Sequence, residues 1–319
     1  MVKTICNLAL MALVSWSCTP PPPPVSAHTP TNQAPRTLVF ADLAPTAEET
    51  AWRDAHRVPG RTLKAATIRV PGAFEQTPGG TRKGLDWDLL VEFGRVTDLP
   101  VEVAVPTNLK SFFSREGTIP ADVETNDNEA YTPDLLKKVD LYIGPFAVLP
   151  WRERLMTLVS LYPMQNFLAG RKGEEVHSAS QLSGKRVAVI QNAMQDNLLK
   201  AWETREGVKI RLVYVSPQDD LFDAVIAGRA DYTLDGQLFF AQNRKKMRSL
   251  TLSPFESDPV RVGWAMKKAD RALASLIRKY FTKVQENGEF ERIFEVNYGT
   301  SFGDYMNVLA TSIASGVRK

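Results

Sequence analysis

Arg152 stands just beyond an apolar run, Leu141 to Val148, in the stretch DLYIGPFAVLPWRERL from Asp140 to Leu155. A guanidinium keeps its charge at every physiological pH, and an unpaired buried charge is costly. A permanent cation where a strand leaves the core therefore points to water or to an anion as its partner. Its planar fork of donors fits a carboxylate with two parallel hydrogen bonds. Arg154 follows two residues on, and a solvated face is its plain reading. Other chemistries have little to work with. The histidines are His28, His56 and His177, far apart in sequence, and the cysteines are Cys6 and Cys18 alone. No metal site, disulfide, serine–histidine triad or cofactor is expected from such a set.

The elements that must hold Arg152 follow from periodicity. From about Leu63 onward, apolar strands alternate with amphipathic helices. Strands are expected at Thr67–Val70, Pro100–Val105 and Leu141–Val148, with helices at Asp86–Thr97 and Thr132–Val139. A second series runs from Phe167 to Ser253. It has strands at Phe167–Gly170, Lys185–Gln191, Lys209–Val215 and Ala230–Leu234, and helices at Met194–Arg205, Gln218–Ala227 and Leu238–Met247. A strand at Val260–Met266 and a long helix after Asp270 complete the pattern. Alternation of this kind implies an α/β protein with parallel or mixed sheets flanked by helices, whose ligands bind at the carboxyl ends of strands. Arg152 lies past such an end.

The chain has 319 residues, 44% apolar and 24% charged, with a formal charge of +3. This is a globular composition, and the small scattered charge gives no reason to expect nucleic acid as a partner. Residues 1–17 read as a signal peptide: Lys3, an apolar stretch from Leu8 to Val14 too short to span a bilayer, then Ser15-Trp16-Ser17. Cys18 follows in a setting that resembles a lipobox, which implies lipidation and a membrane anchor; an ordinary leader with an incidental cysteine is the alternative. Residues 18–36, with Pro20 to Pro24, form a Pro-rich tether of semi-rigid extended chain. Residues 37–62 are an N-terminal extension with a helix from Thr46 to Arg57, where Thr46 and Glu49 make a capping box.

Five stretches, in order and spacing, carry a family resemblance: GLDWDLLVEFGR (Gly84–Arg95), the Asp140–Leu155 stretch, LSGKRVAVIQNAMQDNLL (Leu182–Leu199), AVIAGRADYTLDG (Ala224–Gly236) and Val262–Gly299. Together they resemble the bacterial extracellular solute-binding proteins of family 3, the polar amino-acid receptors of ABC transporters. GLDWDLL and DYTL resemble most the receptor-like domain of the membrane-bound lytic transglycosylases F, here without a transglycosylase domain after it. The resemblance implies a two-lobed periplasmic-binding-protein fold of type II. Lobe 1 would be 63–162 plus 259–299, lobe 2 would be 167–253, and 300–319 a C-terminal tail. Crossovers would lie near 163–166 and 254–258. It implies a monomeric exported receptor that captures a small anionic or zwitterionic ligand for an ABC-transporter permease or for sensing.

The resemblance also places site residues. Arg152 is at the position of the arginine that holds the ligand's carboxylate, and Arg154 is the fallback for the same role. Pro145, Phe146 and Ala147 stand where hydroxyl residues are usual, leaving Ala147 its backbone N–H. Gln191-Asn192-Ala193-Met194 stands at the helix turn that grips the carboxylate, so Asn192 and Met194 are candidates through their backbone. The acid that binds an ammonium would fall at Gly236, with Asp235 one residue early; Asp231 is read as structural. Phe74, Phe146 and Trp151 are candidates for the aromatic wall, with core packing as the alternative for the last two. The main reading is a binding protein without catalysis. The alternatives are an enzyme similar to cyclohexadienyl dehydratases, with Glu75 or Asp235 as acid, and a regulatory lipoprotein that has lost its ligand.

Overall fold

In the computed structural model, the described residues are 37–215, 220–236, 238, 246, 248–256, 259–307 and 309. The leader, the tether and Cys18 lie outside them, as do most of Leu238–Met247 and of the tail.

Apolar four- to eight-residue runs build two five-stranded sheets. The first is ordered β4-β1-β5-β12-β6, from Val101–Ala104, Leu63–Ala66, Leu141–Ala147, Val260–Met266 and Thr157–Met164. β1 is parallel to β4 and β5, while β12 runs antiparallel to β5 and β6. The second is ordered β11-β7-β10-β8-β9, from Leu250–Glu256, Asn166–Arg171, Tyr232–Gly236, Arg186–Val189 and Arg211–Tyr214. It too is mixed, with β7 antiparallel to β10 and β11, and β8 parallel to β9 and β10. Two short strands, β2 (Glu75–Gln76) and β3 (Arg82–Lys83), form a separate hairpin.

Helices cover both faces of each sheet. On the first, the helices Leu85–Thr97 and Arg271–Glu286 bury Leu89, Phe93, Leu276, Ile277 and Tyr280 completely. Each such side chain contributes about 2 kcal/mol by leaving water. Tyr280 Oη donates to Leu89 O at 2.9 Å, and Trp264 Nε1 donates to Asp86 Oδ1 at 2.6 Å across the same core. Close backbone packing here needs glycine: a Cβ at Gly263 would stand 2.0 Å from Val159 O. The other face carries an aromatic cluster of Phe112, Phe113, Tyr142, Phe146 and Trp151. In the second sheet, Asp220–Ile226 packs Leu221 and Phe222 on one face, and Met194–Glu206 packs Leu199 and Trp202 on the other.

The chain passes from the first sheet to the second through Gln165, between β6 and β7, and returns between β11 and β12. The two crossings lie side by side, with Val260 opposite Met164 and Arg261 opposite Pro163. Residues 37–56 dock on the first sheet's helices. Leu38 and Leu43 are buried, Lys279 Nζ meets Glu49 Oε2 at 2.7 Å, and Thr46 and Glu49 form the expected capping box. Residues 302–307 are helical, and Tyr305 Oη donates to Pro163 O at 2.6 Å on the first crossing.

Two expected elements differ. The first strand is Leu63–Ala66, four residues earlier than read, because Leu63, Ala65 and Ala66 are the residues paired and buried in the sheet. Residues 132–139 make hydrogen-bonded turns in place of a helix; Leu136 and Val139 still reach the core.

Candidate ligand-binding cleft

The carboxyl ends of β1, β5 and β10 converge on a cavity of about 110 Å³ between the two sheets. Its first-lobe wall is Ile68, Val70, Pro71, Leu109, Pro145, Phe146, Ala147, Arg152, Tyr162 and Tyr298. Its second-lobe wall is Ile190, Ala193, Met194, Gln195, Leu221, Leu234, Asp235, Gly236 and Leu238, with Met164 at the crossing.

Arg152 is placed by the short helix Pro150–Leu155. Pro150 fixes the first helical φ and gives up an N–H that would have no partner there. The helix turns Arg152 back over the strand end, where Nη1 donates to Ala147 O at 3.3 Å. Its guanidinium lies on two aromatic faces, 4.7 Å from the Phe113 centroid and 5.1 Å from that of Trp151. The side chain is buried, with only 3% of the residue exposed, and Nε has no hydrogen-bond partner. Among the described residues no carboxylate lies within ion-pair distance of it. Burial holds its pKa down at about 10, with the more distant Glu124 acting the other way. It remains a cation at neutral pH. Arg154 points elsewhere: it meets Asp127 at 3.1 Å and Val123 O at 2.6 Å, and is no part of the cavity lining.

Asp235 lies in β10, opposite Phe167, and lines the cavity although 3% exposed. Its Oδ1 accepts from Gly236 N at 2.7 Å and from Gln195 Nε2 at 3.4 Å; Gln195 also donates to Asn166 Oδ1 at 2.8 Å. At Gly236, where the resemblance places an acid, a Cβ would stand 2.6 Å from Met164 Sδ. A thioether therefore occupies the ground that a side chain at 236 would need.

The second-lobe helix Met194–Glu206 aims its start at the cavity, with Ala193 and Met194 in the lining. Ala193 offers no side-chain cap, so the N–H groups of the first turn remain available to an anion. Asn192 sits behind, at φ 63°, its N–H donating to Asp196 Oδ2 at 2.9 Å. It is absent from the lining.

The aromatic candidates divide. Phe146 lines the cavity and also packs on Phe112 at 5.1 Å. Trp151 packs on Phe113 at 5.0 Å, reaching the cavity only through Arg152. Phe74 is fully buried beside Trp87 in the first lobe's core and does not line it. The shifted first strand explains this: Ile68, Val70 and Pro71 occupy the strand-end position, and Phe74 turns inward. Glu75 is tied to Lys83 at 3.0 Å and to Gly72 N at 3.0 Å, outside the lining. Asp231 binds Arg186 N at 2.8 Å and its guanidinium at 2.7 Å, anchoring β8.

Several lining residues escaped the sequence reading. Tyr298 comes from the last helix of the first lobe, and Tyr162 from the crossing strand. Both phenols are neutral at pH 7, and burial raises their pKa values further above the ordinary value of 10.0. Leu109 comes from an irregular loop that no periodicity marks.

No family model matches the chain. The membrane-bound lytic murein transglycosylase F of Desulfosudis oleivorans is 25% identical over 148 residues, 45% of this chain and 32% of that protein. The chain thus spans about a third of that relative's length. The histidine-binding periplasmic protein of Escherichia coli is 22% identical over 248 residues, 73% of this chain and 92% of that one. Among solved structures, a mutant of ArgBP from T. maritima superposes with a TM-score of 0.63 at 18% identity, covering 78% of this chain and 99% of that one. The resemblance carried by the five motifs thus extends to the architecture: this chain has the two-lobed fold of the periplasmic binding proteins.

Proposed function

We propose that this protein is a solute-binding receptor that closes two hinged lobes over a small anionic or zwitterionic ligand, whose carboxylate docks on Arg152. One observation carries the reading: a buried guanidinium, without an ion pair among the described residues, faces the interlobe cavity. An interior charge left this way is expensive, and a ligand carboxylate supplies the missing partner. The uncapped start of Met194–Glu206 brings N–H donors and a positive helix end to the same space. Of the described lining residues Asp235 is the one carboxylate, and it already accepts two hydrogen bonds. That favours capture over acid–base chemistry. Export, acylation at Cys18, a monomeric state and delivery to an ABC-transporter permease complete the proposal.

Native mass spectrometry of the gently purified protein tests it. A co-purified carboxylate-bearing small molecule, lost in Arg152→Ala, is the expected result. A folded wild-type protein whose bound ligand is retained by Arg152→Ala would overturn the role of Arg152.

A further inference from the structure

The cleft also carries information about the body of its ligand, an inference that rests on the receptor reading above. Arg152 and Asp235 are the charged side chains among the described lining residues. A zwitterion uses both, one for each end. What then faces the rest of the ligand is apolar: Ile68, Val70, Leu109, Met164, Met194 and Leu234. The position where a further acid would be expected is Gly236, and the space beside it is filled by Met164 Sδ, 2.6 Å from where a Cβ would stand. The two tyrosines of the wall, Tyr162 and Tyr298, bring no charge at neutral pH. Among the described lining residues a guanidinium or imidazolium on the ligand would be stripped of water with no second carboxylate to meet it, and a second carboxylate would find no second cation. Both are penalised heavily in an apolar enclosure. Met164 and Met194 add soft, adaptable walls, suited to aliphatic and thioether groups of varied shape.

We infer that the ligand is an amino acid with an uncharged apolar side chain, aliphatic or thioether, its carboxylate on Arg152 and its ammonium on Asp235. The cleft selects against cationic and acidic side chains.

Isothermal titration of the full chain, stripped of endogenous ligand, tests this with L-leucine, L-methionine, L-valine, L-arginine, L-histidine and L-glutamate. The apolar members should bind roughly tenfold or more tighter than the charged ones. Tighter binding of arginine, histidine or glutamate would overturn the class while leaving the receptor reading intact. So would a co-purified peptide or sugar fragment. Failure of every probe, with no co-purified molecule, would overturn both. Asp235→Asn separates the two ends of the ligand. It should weaken L-leucine by roughly tenfold and leave 4-methyl-2-oxopentanoate, which has the same body without the ammonium, unchanged. Equal L-leucine binding by Asp235→Asn and wild type would overturn the ammonium assignment. Matching thermal transitions of the two proteins establish that the variant is folded.

Discussion

Glu124 and Asn197 join the two lobes directly: Asn197 Nδ2, on the second-lobe helix, donates to Glu124 Oε1, on a first-lobe loop, at 2.6 Å. The bond spans the cleft beside Arg152, whose charge bears on the same carboxylate. In the hinged receptor proposed above it would exist only while the lobes are together, so its strength would enter the closing equilibrium. Glu124 is largely solvent-exposed, which reduces the bond's worth to about 1 kcal/mol. Glu124→Ala or Asn197→Ala should therefore open the lobes and weaken ligand binding by about fivefold, mainly through faster release. Stopped-flow release and small-angle scattering read the two effects. Unchanged release in both variants would remove this contact from the closing mechanism.

Arg152 should show opposed effects on binding and stability. Its burial without an ion pair among the described residues costs the empty protein free energy. Arg152→Met keeps much of the stem's packing on Phe113 and discards the charge. We expect the ligand-free variant to be about 1 kcal/mol more stable, or at worst equal, and to lose ligand binding by about a hundredfold. Arg152→Lys keeps the cation and loses the fork, so it should recover only part of the affinity. Urea titration and calorimetry measure both.

A pH dependence follows from Asp86. Burial raises its carboxyl from an ordinary 3.8 to about 7, partly offset by the Trp264 hydrogen bond, and Oδ2 has no partner. The folded state therefore holds a proton that the unfolded state has already released. Its contribution to stability is fully present below about pH 4 and is lost as the pH rises through about 7. The loss amounts to roughly 4 kcal/mol at most. Asp86→Asn keeps an acceptor for Trp264 and cannot ionise, so its stability should be flatter between pH 5 and 8. Parallel melting curves for variant and wild type across that range would contradict this.

Asp231 behaves in the opposite sense. The Arg186 hydrogen bond holds its pKa below the usual aspartate range. Its stabilisation is present above the ordinary value of 3.8 and fades as the pH falls below it. Asp231→Ala leaves Arg186 N without its acceptor and should cost about 1–2 kcal/mol at pH 7, measurable by urea titration, without altering ligand selectivity.

Gly263→Ala tests the packing of the first sheet. The added methyl would overlap Val159 O, a backbone atom that cannot step aside without moving β6. A loss of about 3 kcal/mol, or failure to fold, is expected.

The sequence made some of this legible and hid the rest for physical reasons. Strand and helix alternation exposes the two mixed sheets because buried β-strands and amphipathic helices leave different periodicities. Arg152 stands out because a cation beside an apolar run needs a partner. Asp231 could be read as structural from its place ahead of a strand. Asp140 repeats the arrangement in the other lobe, its Oδ2 accepting from Lys64 N at 2.8 Å. Phe74 misled because a four-residue shift of the first strand turns a strand-end residue into a core residue. Tyr298, Leu109 and Met164 could not be found locally, since only the tertiary fold brings a loop, a distant helix and the crossing strand to one cavity. Whether Asp235 faces the cleft depended on where β10 ends, and strand ends are the least legible feature of any sequence.

Tyr305 hangs from Pro163, so the segment after Gly299 grips the crossing that would serve as pivot in the proposed receptor. Tyr305→Phe would remove that hydrogen bond while keeping the ring's packing on Tyr162, Phe294 and Phe302, leaving every cleft wall in place. On the receptor proposal, a fluorophore placed on the helical residues 302–307 would sit beside the crossing and signal capture from outside the cavity.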